Sequence, residues 1–328
     1  MEEYTTQPAE SNPMIGELNQ SINAVKGEMQ KVIVGQSKAI ELFLVGLLVN
    51  GHVLLEGVPG IAKTMTAKLL ARTISSGFSR IQFTPDLMPS DILGTTVYNL
   101  KNSEFTFKEG PIFSNIILID EINRAPAKTQ AALFEVMEEQ QVSVDGTTYD
   151  MSQPFMVVAT QNPIEQEGTY KLPEAQLDRF LFRVKMEYPS LESERSILMK
   201  FKNDFEAKSV ADVRSVLTPE NIEKFRMVVE SIHIKDELIG YIAALVHNTR
   251  NNGDLFLGAS PRASLAILKA SKAIAAMSNR DFVIPEDIQY VLGPILNHRI
   301  ILSAEREMEG TEVEDVIQDI IKTVEVPR

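Results

Sequence analysis

The chain has 328 residues, 44% apolar and 23% charged, a globular composition with room for two domains. It contains no cysteine, which excludes disulfides and thiolate metal sites, and its net charge of −13 opposes nonspecific attraction to nucleic acid or anionic membranes. The start Met1-Glu2-Glu3 carries no basic or apolar leader, and the apolar stretch from Leu42 to Leu55 is broken by Asn50 and His52 and too short to span a bilayer, so a cytoplasmic location is expected.

In chain order, residues 1–13 are polar and read as a mobile tail. Ile15, Leu18, Ile22 and Val25 then recur at helical spacing, Val34-Gly35-Gln36 interrupts, and a second helix is expected from Ser37 towards Leu48. Five short apolar runs follow as expected strands: His52–Glu56, Ser79–Phe83, Asn115–Asp120, Phe155–Thr160 and Leu181–Met186. Apolar strands alternating with helices argue for an α/β fold, a parallel sheet covered on both faces. Thr95–Leu100 with Glu104–Lys108, and Gln141–Val144 with Thr147–Met151 about Asp145-Gly146, read instead as hairpins inserted between sheet strands.

Beyond Pro189 the pattern is helical only. Thr218-Pro219, Ser260-Pro261 and Pro285 open helices, and Ile222, Phe225, Val229 and Ile232 share one face. The expected division is a tail, an α/β domain over 14–189 and a helical domain over 190–328.

The chemistry concentrates at the strand ends. His52–Thr64 reads as a buried strand, a glycine turn and Lys-Thr opening a helix, the layout of a phosphate-binding loop. Gly57, Val58, Pro59, Gly60, Ile61, Ala62, Lys63, Thr64 and Met65 are the candidate nucleotide-binding residues. Lys63 is expected to reach the β- and γ-phosphates and the Thr64 hydroxyl to hold Mg²⁺. The usual glycine before the lysine is Ala62, which is tolerated if its backbone stays right-handed.

Ile116–Ile119 run into Asp120 and Glu121, two carboxylates at the end of a buried strand. Asp120 is the second metal-ligand candidate, and Glu121 the group that polarises water. Asn162 ends the next strand, where its amide contacts the γ-phosphate or the water, or else turns the chain before Pro163. Arg179 precedes the last strand and reads as a surface charge, or as a finger that stabilises the transition state in a neighbouring subunit. Arg262 opens a helix of the second domain and reads as a surface charge, or as one that reaches the nucleotide across the cleft. The four histidines lack metal-ligand spacing, and Glu135, Glu138 and Glu139 read as a solvated helix face.

Together these segments resemble the AAA+ ATPases, and within them the MoxR family. Gly57–Thr64 resembles that family's Walker A loop, in which alanine commonly precedes the lysine. Gly110-Pro111-Ile112-Phe113 and Asp120–Ala125 resemble its Walker B region, and Ala159–Pro163 its sensor 1. Leu172–Phe180 resembles its arginine-finger segment, and Gly258–Arg262 its sensor 2. The resemblance implies a five-stranded AAA+ core with a C-terminal helical lid. It implies ATP and Mg²⁺ as cofactors and Glu121, Asn162, Arg179 and Arg262 as catalytic residues. It further implies a ring, often hexameric, and a chaperone-like role toward a protein client, with a von Willebrand factor A domain protein as a partner class. The alternatives are a metal-chelatase-type motor subunit and a nucleic-acid-remodelling ATPase.

Overall fold

The computed structural model describes residues 13–58, 60–101, 103–162, 170, 172–202 and 212–327. The tail expected over 1–13 lies outside them except for Pro13, which opens a helix, and so do Pro59 and Pro163. Two helices come first, α1 (Pro13–Gln30) and α2 (Ser37–Leu48), then β1 (His52–Glu56), α3 (Lys63–Thr73), β2 (Phe78–Gln82) and α4 (Pro89–Leu93). The hairpin β3 (Gly94–Asn99) and β4 (Glu104–Glu109) leads to β5 (Ile116–Asp120) and α5 (Ala127–Glu139). A second hairpin, β6 (Gln141–Val144) and β7 (Thr147–Asp150), precedes β8 (Met156–Gln161), α6 (Glu174–Leu177) and β9 (Phe180–Lys185).

The main sheet has five strands in the order β2-β5-β8-β1-β9, and every neighbouring pair is parallel. All residues of β1 and β5 are buried, as their unbroken apolar sequences require of strands covered on both faces. Alternate residues serve two cores. Val53, Leu55, Ile116, Leu118, Met156 and Val158 face the cluster that includes α1, α2 and α3. Leu54, Ile117, Ile119, Val157 and Ala159 face the cluster that includes α4, α5 and the second hairpin. Each fully buried Leu, Ile or Phe contributes about 1.5–3 kcal/mol.

The hairpins stand off the sheet and lean on each other. Asp145 (φ 50°) and Gly146 (φ 80°) form a turn with both central residues left-handed, which matches the twist of the flanking strands. Thr96 Oγ1 donates to Asp145 Oδ2 at 2.6 Å, and Phe107 stacks on Tyr149 with centroids 4.5 Å apart. Tyr98, Leu100 and Phe105 remain exposed on the first hairpin.

The remainder consists of α7 (Leu191–Phe201), α8 (Pro219–Ser231), α9 (Asp236–Arg250), β10 (Leu255–Leu257), α10 (Pro261–Met277), α11 (Pro285–Leu296), β11 (Ile301–Leu302), α12 (Ala304–Met308) and α13 (Val313–Thr323). The expectation of helices alone here needs one correction: β10 and β11 pair antiparallel into a short ribbon. With two or three residues a side, it lacks the period-two pattern by which a strand is read. Thr218 caps α8 together with Asn221, and Ser260 caps α10. The apolar faces of α8, α9, α10, α11 and α13 join the same core as α1 and α2.

Candidate active site

The loop after β1 has two glycines with different reasons. A Cβ on Gly57 would lie 2.5 Å from Ile61 Cδ1 and 2.7 Å from the Met186 carbonyl oxygen, so no side chain fits. Gly60 has room around it but a φ of +88°, where other residues are strained. Ala62 corrects the sequence-based expectation: its φ is 64° and ψ 21°, a left-handed N-cap to α3 rather than a right-handed one. The chain must reverse within one residue to start the helix at Lys63, and the cost of a left-handed alanine is about 1–2 kcal/mol. Lys63 Nζ donates to the Gly57 carbonyl at 2.6 Å, closing the loop on itself.

Asp120 and Glu121 meet the loop from the end of β5. Asp120 is 8% exposed and spans two donors: Thr160 Oγ1 at 3.2 Å and Arg80 Nε at 2.6 Å. Glu121 takes a left-handed φ of 58°, which turns the chain directly after the strand. Its N–H donates to Thr160 Oγ1 at 3.0 Å, so one hydroxyl on β8 orients both acidic residues. Glu121 Oε2 accepts from Gln82 Nε2 at 2.9 Å and pairs with Arg124 Nε at 3.0 Å.

These residues surround a cavity of about 530 Å³, lined by Gly60, Ala62, Lys63, Thr64, Met65, Asp120, Glu121 and Asn162 among others. Gly57, Val58 and Ile61 build the loop without lining the cavity. Lys63, Lys68 and Arg80 outnumber the two carboxylates on its wall, a local positive balance in a chain of net charge −13. That balance, at the N-terminus of an eleven-residue helix, suits a polyphosphate. The Thr64 hydroxyl and the Asp120 carboxylate are hard oxygen donors of the kind that Mg²⁺ takes. Among the described residues no group of three or more His, Cys, Asp or Glu forms a metal cage. Such an ion would be shared with phosphates and water, the usual manner of Mg²⁺.

Neither Arg179 nor Arg262 lines the cavity. Both pair with Glu138 of α5, and Arg179 Nη1 also donates to the Phe134 carbonyl at 2.8 Å. Glu138 is exposed, as its reading as part of a solvated face expected, and it also bridges the two arginines.

Residues 52–182 match the family described as "ATPase family associated with various cellular activities (AAA)", and residues 247–320 match the "AAA lid domain". Chaperone MoxR1 of Mycobacterium tuberculosis is 43% identical over 310 residues, covering 92% of this chain and 81% of that protein. The chain belongs to the MoxR family of AAA+ ATPases. Protein MoxR of Methylorubrum extorquens is 29% identical over 322 residues, covering 92% of this chain and 93% of that one. The uncharacterized protein YeaC of Bacillus subtilis is 45% identical over 318 residues, 96% of each chain. A crystal structure of a candidate ATPase from Cytophaga hutchinsonii superposes with a TM-score of 0.89 at 42% identity, covering 96% of this chain and 98% of that one. AAA+ ATPases commonly form oligomeric rings. No helix of this MoxR-family chain, among the described residues, is long and apolar enough to cross a membrane.

Within this MoxR-family site, Arg80, Gln82, Thr160 and Glu138 escaped the sequence reading. Gln82 carried a faint signal, a polar residue near the end of an expected strand, but only the pairing of β2 with β5 puts it opposite Asp120. Glu138 carried none, since its partner Arg262 is 124 residues away.

Proposed function

We propose that this MoxR-family chain is a Mg²⁺-dependent ATPase that works as a ring and remodels a protein client. The observation carrying the reading is the convergence of Lys63, Thr64, Asp120, Glu121 and Asn162 on one cavity at the start of α3. In this reading the loop from Gly57 to Met65 cradles the phosphates and the Lys63 ammonium leaves the Gly57 carbonyl for the β- and γ-oxygens. Thr64 and Asp120 would hold Mg²⁺, which would neutralise charge on the phosphate oxygens. Glu121, steadied by Gln82, orients the attacking water and accepts its proton, and Asn162 positions the water or the γ-phosphate.

Arg179 and Arg262 serve the cavity of an adjacent subunit. Their attachment to Glu138, outside their own cavity, supports that direction. The lid over 190–328, the core over 14–189, a hexameric ring, a cytoplasmic setting and a von Willebrand factor A domain partner complete the proposal. The word chaperone in the name of the mycobacterial relative supports the protein client.

The test separates binding from turnover. Lys63→Ala should lose ATP affinity, and Glu121→Gln should bind ATP with wild-type affinity yet turn over at least about 100-fold more slowly. Fluorescent-nucleotide titration and phosphate release measure the two. Wild-type affinity in Lys63→Ala would refute the phosphate-loop assignment.

A further inference from the structure

Asp178 sits immediately before Arg179, and its carboxylate is claimed by residues from two distant parts of the chain. Arg299, just beyond α11, donates Nε to Asp178 Oδ1 at 2.6 Å. Its other donors are all spent on the same segment and on α11. Nη1 reaches the Leu181 and Ile295 carbonyls at 3.1 and 2.7 Å, and Nη2 the Asp178 and Phe180 carbonyls at 3.1 and 2.7 Å. The Arg299 side chain is only 4% exposed. The second carboxylate oxygen, Asp178 Oδ2, accepts from Ser260 Oγ at 3.1 Å. Ser260 is the N-cap of α10, and its Oγ in turn accepts the Arg262 N–H at 3.2 Å.

One carboxylate thus joins the backbone that carries Arg179 to the helix start that carries Arg262. The two guanidinium groups then converge again on Glu138. A buried ion pair is a poor device for stability alone, because an apolar replacement of equal volume often does as well. Its strength is geometric: five fixed N–H directions and a two-oxygen acceptor set the spacing of what they hold.

We propose that Asp178, Arg299 and Ser260 are positioning residues that set the Arg179–Arg262 pair as one unit for the adjacent subunit's nucleotide. The inference rests on the reading of those arginines given above. Asp178 holds both elements, Arg299 holds Asp178, and Ser260 transmits the hold to α10.

The experiment uses full-length assembled protein. Asp178→Asn leaves Arg299 buried without its countercharge and can fail to fold, so Ser260→Ala, which keeps the ion pair, is the principal variant. Ser260→Thr, which keeps a hydroxyl, is the conservative control. Ser260→Ala should lower kcat roughly ten- to a hundred-fold, the scale of a small misplacement of a catalytic group, with ATP affinity unchanged. Ser260→Thr should restore most of it. Mixing Ser260→Ala with Glu121→Gln should recover activity, since some interfaces then join an intact arginine pair to an intact Glu121. In an Arg262→Ala background Ser260→Ala should cost little more, because the linked group is gone.

Wild-type kcat in Ser260→Ala and in folded Asp178→Asn, beside an inactive Arg179→Ala, overturns the positioning proposal and leaves the trans-acting arginine standing. Wild-type activity in Arg179→Ala overturns the underlying reading itself. A kcat loss accompanied by lost ATP affinity, and not recovered by mixing, makes the network merely structural and also overturns the proposal.

Discussion

At the scale of single residues, the two buried histidines show how an apparently reactive side chain becomes structural. His52 Nδ1 accepts the Val157 N–H at 3.0 Å, so its proton lies on Nε2, which donates to the Met137 carbonyl at 3.0 Å. Burial pushes its pKa down from 6.5 to about 4. Burial, with Arg299 close by, also pushes His298 well below the usual value. The folded pKa lies below the unfolded one, so the unfolded chain takes up the proton first as pH falls. The stability contribution is therefore complete above about pH 6.5 and is lost between there and about pH 4. For His52 the loss amounts to at most about 3 kcal/mol. Denaturant unfolding at pH 7 and pH 5 should show the drop, and His52→Gln should flatten it. An unchanged slope in His52→Gln would place the pH sensitivity elsewhere. That both histidines are buried and neutral was not legible in the sequence, because the groups they meet belong to distant elements, β8 and α5 for His52 and β9 for His298.

At the scale of elements, the two inserted hairpins behave as one body. The Thr96–Asp145 hydrogen bond and the Phe107–Tyr149 stack couple them, and an aromatic stack of this kind is worth about 0.5–1.5 kcal/mol beyond its burial. Removing the Asp145-Gly146 turn should leave ATP affinity intact, since no residue of either hairpin lines the cavity proposed to hold the nucleotide. It should instead cut the set of proteins captured by a Glu121→Gln trap in ATP, because exposed Tyr98, Leu100 and Phe105 lose the hairpin that braces them. A folded turn-deleted chain that no longer binds ATP, or captures partners as before, would remove the hairpins from client contact. The strands of these hairpins and of the sheet were readable to within about two residues, because apolar runs and the Asp-Gly turn are local signals. The seam between the hairpins was not, since nothing in either sequence names the other as its neighbour.

At the scale of the whole molecule, the question is which subunit each arginine serves. An isolated chain in the proposed mechanism binds ATP but lacks the charge that stabilises the transition state, a deficit on the order of 10³ or more in rate. Specific activity should therefore rise with protein concentration, tracking assembly measured by sedimentation. Arg179→Ala and Glu121→Gln, each inactive alone, should regain partial activity when mixed. Full activity in a dilute monomer would defeat the shared site.

What the sequence determined by itself was everything carried by short-range pattern. The apolar runs specified buried strands, Thr218, Ser260 and the following prolines specified helix starts, and the glycine loop with Lys63 and Thr64 specified a tight turn into α3. Asp120, Glu121 and Asn162 could be placed at strand ends because the runs end there. Only the tertiary structure decided the strand order β2-β5-β8-β1-β9, and with it that Arg80 and Gln82 stand over Asp120 and Glu121. It alone decided that Ala62 is left-handed, because the sense of a turn depends on where strand and helix must both go. It alone brought Glu138 to both arginines, and Ser260 and Arg299 to Asp178. Contacts between residues dozens of positions apart leave no period in a sequence, since their partners are chosen by packing and not by spacing.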